Sequence, residues 1–464
     1  VPYLLDLKIN KNINAPNKAK LIFILSFIVI LLCQMPYFLN FYPGLLSIDS
    51  VSQLNTIING FSNLSDHHPV MHTLFVAIPY YIGFGLSNSI ETGVAFSSFT
   101  QMVCLSLTFA YLIKFLYERN VNKLALTAIV LFYAFLPVFG YYSITMWKDV
   151  MFGGFLLLLT IETVKLIDKK DEDNLSFEEL FKFTLISLLC VFFRNNAIYM
   201  YMVLALAIFL LPKKFWKKIF ACMLFVFVFY FVIKGPIFDA LNIKKSASAE
   251  YIGMPMQQIG RMAYKGVDFT KEEAKLLNEI MSIEDLKKAY NPKTSDGIKF
   301  NENYNAREFN KNKLEYLKLY ISLVLKHPEI AVEAYLISTL GYWYPGVIHW
   351  TVATGIAKNA QRLTLNPITT PLMDKIIQAL GSRSAVILTI TWSIALCFWI
   401  ILIFGYITKK RKGLKYIYAF VPVLGIWLTM LLASPVYGEF RYIFGAYTCL
   451  PLFVILPFIG EKKD

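Results

Sequence analysis

Long apolar runs separated by short polar segments dominate the chain. A helix needs about 20 apolar residues to cross the hydrocarbon core of a bilayer. The pattern predicts about ten such crossings. Their bounds are Leu21–Leu39, Ile90–Leu116, Leu124–Ser143, Val150–Ile167, Phe177–Phe193, Ala197–Leu211, Ile219–Ile233, Ala385–Ile407, Tyr416–Leu432 and Tyr442–Ile459. The predicted fold class is therefore an all-α polytopic membrane protein.

One further apolar run, Met71–Leu86, is shorter and is broken by Pro79 and two glycines. Its length and aromatic content indicate an interfacial or re-entrant helix. If this run does not cross, every strongly basic loop falls on the same side, as the positive-inside rule requires. If it crossed, "KKRKGLK" would face the opposite side. The charges thus predict a cytoplasmic N-terminus and an extracytoplasmic first loop.

This topology divides the chain into three parts. Residues 1–234 form a transmembrane module whose first outer loop is 40–89. Residues 235–382 are less apolar, and segments such as "KLEYLKLYISLVLKH" have apolar residues at helical spacing. We predict a mainly helical extracytoplasmic domain there, with interfacial segments. Residues 383–464 return to the membrane.

Composition excludes most soluble classes. Hydrophobic residues make up 57% of the chain, charged residues make up 16%, and the mean hydropathy is +0.53. The net charge is +14, yet 235–382 holds 18 Lys/Arg against 15 Asp/Glu, a difference of +3. The remaining +11 lies in the termini, spans and short loops, which indicates membrane orientation and not nucleic-acid binding. The six cysteines lie in apolar runs and have no metal-site spacing, so they are expected to be core residues.

Polar residues gather on the predicted outer side. Charged groups at a membrane surface are costly unless they pair or bind a ligand. We therefore treat the set as a candidate site. Its members are Asp49, Asp66, His67, His68, Lys148, Asp149, Arg194, Asn195, Gln258, Arg261, Glu439 and Arg441.

Each residue also has a structural alternative. Asp49 in "SIDS" could cap a helix that starts near Val51, and Asp149 could interact favourably with the dipole at the start of its own helix. Arg194 could reach lipid headgroups, and Arg441 could pair with a neighbouring carboxylate. These alternatives stay open for the single residues. Together they account less well for so many charges on one face.

The set suits transfer of a sugar from a lipid phosphate. A carboxylate can take the proton of the acceptor hydroxyl, and lysine and arginine can hold the departing phosphate. Aromatic residues in "GYWYPG", Tyr342 and Tyr344 among them, could hold the sugar or the lipid. No cofactor is required. A divalent metal shared by Asp49, Asp66 and His67 is a further possibility.

Several phrases support a family resemblance. An acidic residue in the first outer loop is followed by "DHHPVMHTLF", and "MWKD" supplies a second acidic position after the third span. In these features the chain resembles the GT-C membrane glycosyltransferases, which include protein O-mannosyltransferases and the aminoarabinose transferase of lipid A. It also resembles a group of GT-C-like proteins common in Firmicutes through "YPGLLSIDSVSQ", "RNN", "QQIGR", "GYWYP" and "PVYGEFRY".

The resemblance implies a GT-C-like bundle with juxtamembrane helices in the first outer loop. It implies a polyprenyl-phosphate-linked sugar donor and an acceptor glycan, lipid or protein outside the cytoplasm, and so a multi-pass protein of the cell membrane. It also implies that Asp49 is the base and Asp149 the second active-site carboxylate. Mannosyltransferases usually carry an Asp-Glu pair in this loop, whereas Ser50 follows Asp49 here. Whether Asp66 contributes therefore stays open.

Three other functions are compatible with a polytopic chain. A transporter or flippase of lipid-linked sugars would place ionisable groups near the middle of its spans. A polysaccharide polymerase or ligase would use a lipid-linked oligosaccharide. A scaffold would gain nothing from buried ions. The clustering of charge at one surface favours the glycosyltransferase.

Overall fold

Helices account for the regular structure. The computed structural model describes residues 15–169, 173–246, 252–381, 392–433 and 436–460. Within these ranges there are helices and isolated β-bridges but no strands. The all-α prediction is confirmed for the described residues.

The first part of the chain forms ten helices. They are α1 Ala19–Asn40, α2 Ile48–Ile58, α3 Val70–Ser87, α4 Ile90–Glu118, α5 Lys123–Phe135, α6 Pro137–Ser143, α7 Lys148–Asp168, α8 Phe177–Phe193, α9 Ala197–Leu206 and α10 Lys213–Val232. A 3-10 turn, Ala207–Leu210, extends α9. The two helices α2 and α3 lie in the predicted first outer loop.

The middle region is also mainly helical, as predicted. Its longer helices are α11 Gly253–Lys265, α12 Lys271–Ile280, α13 Ile283–Ala289, α14 Lys313–Lys326, α15 Pro328–Ser338 and α16 Pro371–Gly381. Shorter helical pieces are Phe238–Ala240, Asp296–Lys299 and Ala306–Lys311. After α15 an extended strap returns to the first loop, where Leu46 N–H donates to the Gly355 carbonyl and Ala357 N–H to the Leu46 carbonyl.

Among the residues described after Gly381, three α-helices complete the bundle: α17 Ile394–Lys412, α18 Val421–Ala433 and α19 Phe444–Ile455. The 3-10 helices Leu414–Phe420 and Phe440–Ile443 precede α18 and α19. The first part of the predicted span 385–407 lies outside the described residues.

The bundle has two ends of different character. At one, the far end, Arg119 and Asp168 form an ion pair at 2.7 Å, and the Tyr416 hydroxyl donates to the same carboxylate. The basic last turn of α17 lies there too, because Lys412 stacks over the Tyr416 ring. At the other, the site end, α7 begins and α8 ends. The contacts at the two ends give the helix directions. Toward the site end run α1, α5–α6, α8, α10 and α18, and away from it run α4, α7, α9, α17 and α19.

Fewer than ten of the described helices are long and apolar enough to count as membrane spans. Seven described helices are long and apolar enough to cross a membrane, or eight if α5 and α6, bent by 53°, form one span. Helix α8 has 17 residues, α9 has 10, and α17 ends in four basic residues. A polytopic membrane protein follows from these helices. The count of about ten crossings stays a prediction.

Helix α3 is one of the seven, although we predicted an interfacial helix there. It packs on the first part of α4: the Ser97 hydroxyl donates to the Val76 carbonyl at 2.9 Å. Further along α4, Gln101 donates to the Thr145 carbonyl at 2.8 Å, just before α7 begins. The N-terminal half of α3 also meets the last turn of α8, where the Phe75 and Phe193 rings are 5.8 Å apart. Helix α3 therefore lies beside the site end and beyond the start of α7, which favours the interfacial interpretation.

Candidate functional site

Two helix starts dock against each other at the site end. Ser47 caps α2 in a capping box with Ser50. The Trp147 indole, which precedes α7, donates to the Ser47 hydroxyl at 2.7 Å, and the Ser50 hydroxyl donates to the Met146 carbonyl at 2.7 Å. Asp49 is thus not the cap we considered. It lies in the first turn of α2, beside the first turn of α7.

Asp49 forms an ion pair with a residue almost four hundred positions away. Its Oδ2 lies 2.6 Å from an Arg441 guanidinium nitrogen, and Arg441 also contacts Glu439. Burial alone would raise the pKa of Asp49, but Arg441 and Lys148 lower it to about 2. Burial raises the pKa of Glu439 despite the same guanidinium. Asp49 is 34% exposed and ionised, so it can meet a ligand.

Asp149 is buried beside a second arginine. Its carboxylate is 1% exposed and lies 3.0 Å from an Arg194 nitrogen. Arg194 donates its well-aligned hydrogen bonds to the Asn196 side-chain oxygen at 2.7 Å and to the Tyr442 carbonyl at 2.8 Å, and not to Asp149. No described residue donates a hydrogen bond to either Asp149 oxygen. A buried carboxylate with unused acceptor capacity is costly and is ready to accept from a ligand.

The Tyr442 ring lies between the two ion pairs. The Arg441 guanidinium is 5.1 Å from its centroid and the Arg194 guanidinium is 5.4 Å from it. Arg441 also lies 5.4 Å from the Trp147 ring. Both arginines are therefore fixed by aromatic faces as well as by carboxylates.

A third ion pair closes the site on the side of the first loop. Lys234, at the end of α10, places its ammonium 2.6 Å from each Asp66 oxygen and 2.8 Å from Asn195 Oδ1. The Asn195 amide in turn donates to the Asp66 carbonyl at 2.7 Å. Both oxygens of Asp66 are therefore used within the protein.

Lys148 differs from these cations. In the described part of the chain no carboxylate lies within 4 Å of its ammonium, and its one hydrogen bond is a long contact of 3.5 Å to the His67 carbonyl. Asp49 and Asp149 are near enough to influence its charge. Lys148 is thus a cation that is available for an anionic ligand.

The histidines of the first loop are packed around this lysine. The His67 and His68 rings are 4.7 Å apart. Burial first, and the Lys148 ammonium second, lower the pKa of His68 to about 3, so its ring is neutral at pH 7. His72, in α3, is fully buried, and its Nδ1 pairs with the Gln53 amide at 3.0 Å.

A cavity of about 390 Å³ opens among these groups. It is lined by Asp66, His67, Lys148, Asp149, Arg194, Asn195, Asn196, Ile198, Tyr199, Tyr230, Ser246, Thr429, Met430, Ala433 and Tyr442. The volume is in the range of small-molecule sites. Its wall combines a buried carboxylate, two cations and apolar surface from α9 and α18.

The structure brings ten of the predicted site residues together and leaves four apart. Gln258 donates to the Ala331 carbonyl, and Arg261 pairs with Glu333, both inside the middle region. Tyr342 is buried and donates to the Val436 carbonyl, whereas Tyr344 is 51% exposed and packs beside Trp343. None of these four lines the cavity, and among the ten gathered residues Asp49, His68, Glu439 and Arg441 lie beside it without lining it. The part of the four distant residues in a substrate site stays a prediction.

Our sequence reasoning missed Lys234, Asn196 and Tyr442. Lys234 had a signal: it is a lone lysine that ends the apolar run "FYFVIKGP". Asn196 belongs to the quoted "RNN" and Tyr442 directly follows Arg441, but neither sequence context shows which guanidinium the residue contacts.

The possible metal site is not supported by the ligand set. Asp49 faces Arg441 and Asp66 faces Lys234, so the two carboxylates do not converge with His67 on one point. Among the residues described, no group of three His, Cys, Asp or Glu side chains is placed to hold a metal ion. The six cysteines are free, and three of them, Cys190, Cys397 and Cys449, are buried as core residues, whereas Cys33, Cys104 and Cys222 are partly exposed.

Comparison with known proteins gives one match. The model of a family of unknown function, DUF6020, matches residues 58–464. No curated protein and no solved structure matches the chain.

Proposed function

The chain belongs to the DUF6020 family, and from its site we propose that it is a membrane glycosyltransferase. It would move a sugar from a polyprenyl-phosphate donor to an acceptor outside the cytoplasm: a cell-wall polymer, a glycolipid or a protein. The proposal includes a GT-C-like bundle of about ten spans. It also places the site end at the outer surface of the cell membrane.

The cavity is the observation that carries this proposal. Asp149 offers two oxygens that accept no hydrogen bond from a described residue, and Lys148 offers a cation without an ion pair. Arg194 completes a positive wall beside the buried carboxylate. A polyprenyl-phosphate sugar carries hydroxyls for the Asp149 carboxylate and a phosphodiester anion for the cations of Lys148 and Arg194.

Each group has a chemical role in the proposal. Lys148, Arg194 and Arg441 would bind the phosphate and stabilise its charge as the glycosidic C–O bond breaks. Asp49 would take the proton of the attacking acceptor hydroxyl as the new C–O bond forms. Asp149 would orient a sugar hydroxyl. Asp66, whose oxygens are both bound to Lys234, is a weaker candidate for the base than Asp49.

The surroundings of the cavity suit a lipid-linked donor. Ile198 and Tyr199 of α9 and Met430 and Ala433 of α18 form part of its wall. Both helices belong to apolar segments, α9 as a short apolar helix and α18 as part of a candidate span. A polyprenyl tail could therefore remain in the bilayer while its phosphate enters the cavity.

A flippase or transporter is the alternative, and a polymerase or ligase of lipid-linked glycans is another. A transport path needs polar groups along the spans. Helix α7, which supplies Lys148 and Asp149, carries no further charge until Glu162 near the far end. This distribution favours chemistry at one surface.

The test is mass spectrometry of envelope glycans and lipids. A bacterial strain that lacks the chain is compared with strains that express the native protein, Asp49→Asn, Asp149→Asn or Asp239→Asn. Asp239 is an exposed carboxylate in a surface ion pair, which makes it the matched control. We expect a glycosylated product to be lost in the deletion and in the first two variants, and retained in the control. Full transfer by Asp49→Asn at normal expression would refute the assignment of the base.

A further inference from the structure

A second cavity, of about 130 Å³, lies in the middle region between α11, α12 and α14. Its wall is almost entirely apolar, with Met256, Leu277, Met281, Ile298 and Leu319 among the lining residues. An apolar cavity of about 150 Å³ holds a benzene ring. This one therefore has room for about six carbon atoms.

Helix α14 presents two apolar faces. Tyr316, Leu319 and Leu323 face the core of the middle region. A second stripe points away from that core, and its members are Leu314 at 75% exposed, Leu317 at 50%, Ile321 at 47% and Leu325 at 75%. Their spacing of three and four residues places them on one side of the helix. Leu317 also lines the cavity, so the cavity opens beside the exposed stripe.

Basic side chains flank this stripe. Lys313 lines the cavity at the start of α14, and Lys318 follows one turn later. In the described part of the chain neither lysine has an ion pair, whereas Lys326 pairs with Glu273. Unpaired lysines beside exposed leucines are typical of helices that lie on an anionic lipid surface.

The connection of α14 to the bundle runs through α15. Helix α15 follows α14 directly and leads to Trp343. The Trp343 carbonyl accepts a hydrogen bond from the Trp399 indole of α17 at 2.9 Å, and Trp399 is 46% exposed on an apolar helix. The segment of α14 and α15 is thus attached to the site end of the bundle at an exposed tryptophan of an apolar helix.

One polar atom in the wall lacks a partner. The Tyr304 hydroxyl is buried beside the cavity, and no described residue forms a hydrogen bond with it. An unsatisfied hydroxyl in an apolar wall is costly, as is an empty cavity. A bound hydrocarbon chain would remove the cost of the empty cavity.

We propose that this cavity holds a hydrocarbon chain of an anionic membrane lipid, and that the exposed stripe of α14 rests in the same leaflet. The end of the chain would fill the cavity, and Lys313 and Lys318, which flank the stripe, would face the phosphates of neighbouring anionic lipids. Both an acyl lipid and a polyprenyl phosphate provide this chemistry.

The inference extends the proposed function and does not depend on it. Ser246 lines the first cavity and Ile252 lines the second, and six residue steps separate them. An extended chain of that length spans at most about 22 Å. A lipid in the second cavity would therefore lie close to the proposed catalytic site, whatever reaction occurs there.

The test is photocrosslinking of the full chain in phosphatidylcholine nanodiscs. One probe is a phosphatidylglycerol with a diazirine at the end of an acyl chain, and the other is a polyprenyl phosphate with a diazirine on its last isoprene unit. Peptide mass spectrometry locates the label. We expect labelling of cavity residues in α11, α12 or α14 by at least one probe, and the probe that labels identifies the source of the chain.

Matched variants decide whether the cavity itself is occupied. Leu277→Trp fills the cavity, and we expect it to reduce cavity labelling at least fivefold, whereas Leu336→Trp, at an exposed position on α15, leaves it unchanged. Met281→Phe is the second filling variant, and a cooperative thermal transition shows that each variant is folded. Three results would overturn the proposal. They are labelling that is confined to the outer face of α14, labelling that both filling variants retain, and a crosslink to a second copy of the chain.

Discussion

The ion pairs of the three aspartates of the site differ in how much of each carboxylate they leave free. Lys234 contacts both oxygens of Asp66 at 2.6 Å, whereas Arg441 contacts one oxygen of Asp49 at 2.6 Å. Arg194 contacts one oxygen of Asp149 without forming an aligned hydrogen bond. At the residue scale, Asp49 and Asp149 therefore keep the capacity to bind a substrate, whereas both carboxylate oxygens of Asp66 are bound to Lys234.

Arg194 and Lys148 should differ in their effects on stability. Arg194→Met leaves the Asp149 carboxylate buried without its partner, and breaking a buried ion pair in this way costs about 3–5 kcal/mol. Lys148 has no such pair among the described residues, so Lys148→Met should change the free energy of unfolding by less than about 1 kcal/mol. Thermal unfolding of the purified variants measures both effects, with Lys244→Met as a surface control. Equal destabilisation by both variants would contradict this account of the site.

His68 should make the protein less stable in acid. Its pKa is about 3 in the folded state and about 6.5 in an unfolded chain, so the unfolded state binds more protons as the pH falls through that interval. The contribution of His68 to the free energy of unfolding is complete above pH 6.5 and decreases as the pH falls below 6.5. Between pH 7 and pH 5 the loss is about 2 kcal/mol.

The variant His68→Gln isolates this contribution, because Gln does not titrate. The charged neighbours that act on His68 are Lys148, Asp49, His67 and Arg441, and they are unchanged in the variant. We expect the melting temperature of His68→Gln to decrease less between pH 7 and pH 5 than that of the native protein. Parallel pH profiles would show that His68 is protonated in the folded state or already exposed.

At the scale of elements, the site depends on the docking of α2 against α7. Each helix carries its carboxylate in the first turn, where the helix dipole favours negative charge. Leu45 N–H donates to the Ile144 carbonyl at 3.0 Å, and Met146 N–H donates to the Leu45 carbonyl at 3.1 Å. These backbone bonds fix the two helix starts together, so both carboxylates lie at one end of the bundle.

The hairpin of α3 and α4 offers a test of close helix packing. A Cβ atom at Gly83 would lie 2.6 Å from the Thr92 carbonyl oxygen, which is backbone and cannot move away easily. Gly83→Ala should therefore separate α3 from α4 and lower the melting temperature. Gly85→Ala is the matched control in the same helix, because nothing lies within 4 Å of a Cβ there and alanine favours the helix by about 1 kcal/mol. A smaller loss for Gly83→Ala than for Gly85→Ala would contradict the observed packing.

At the scale of the whole molecule, hydropathy and charge predicted much of the architecture. The apolar runs coincide with helices wherever the structure describes them, because burial in lipid requires every backbone group to be bonded within its own segment. The gathering of Asp49, Asp149 and the two arginines at one end followed from the charge pattern. The charge pattern did not predict which residues form the ion pairs, because Asp49 contacts a guanidinium that is 392 positions away. Local sequence carries no signal for such a contact.

The local sequence also does not determine the position of α3. Its hydropathy qualifies it as a span, yet its contacts place it beside the site end. Membrane orientation is thus the property on which the whole proposal can be tested. Ser62 and Ser87 flank α3, and Lys410 lies in the basic last turn of α17 at the far end; all three side chains are exposed.

We expect single cysteines at these positions to separate by side. In intact cells a membrane-impermeant maleimide should label Ser62→Cys and Ser87→Cys, because both sites lie outside the cell in the predicted topology, with α3 interfacial and the site end facing outward. Lys410→Cys should be labelled only after the cells are permeabilised, since basic loops remain in the cytoplasm. The native protein supplies the background, because its six cysteines all lie within helices. Labelling of Ser62→Cys and Ser87→Cys from opposite sides of the membrane would show that α3 is a span. Labelling of Lys410→Cys in intact cells would place the proposed catalytic cavity in the cytoplasm, where an extracytoplasmic acceptor could not reach it.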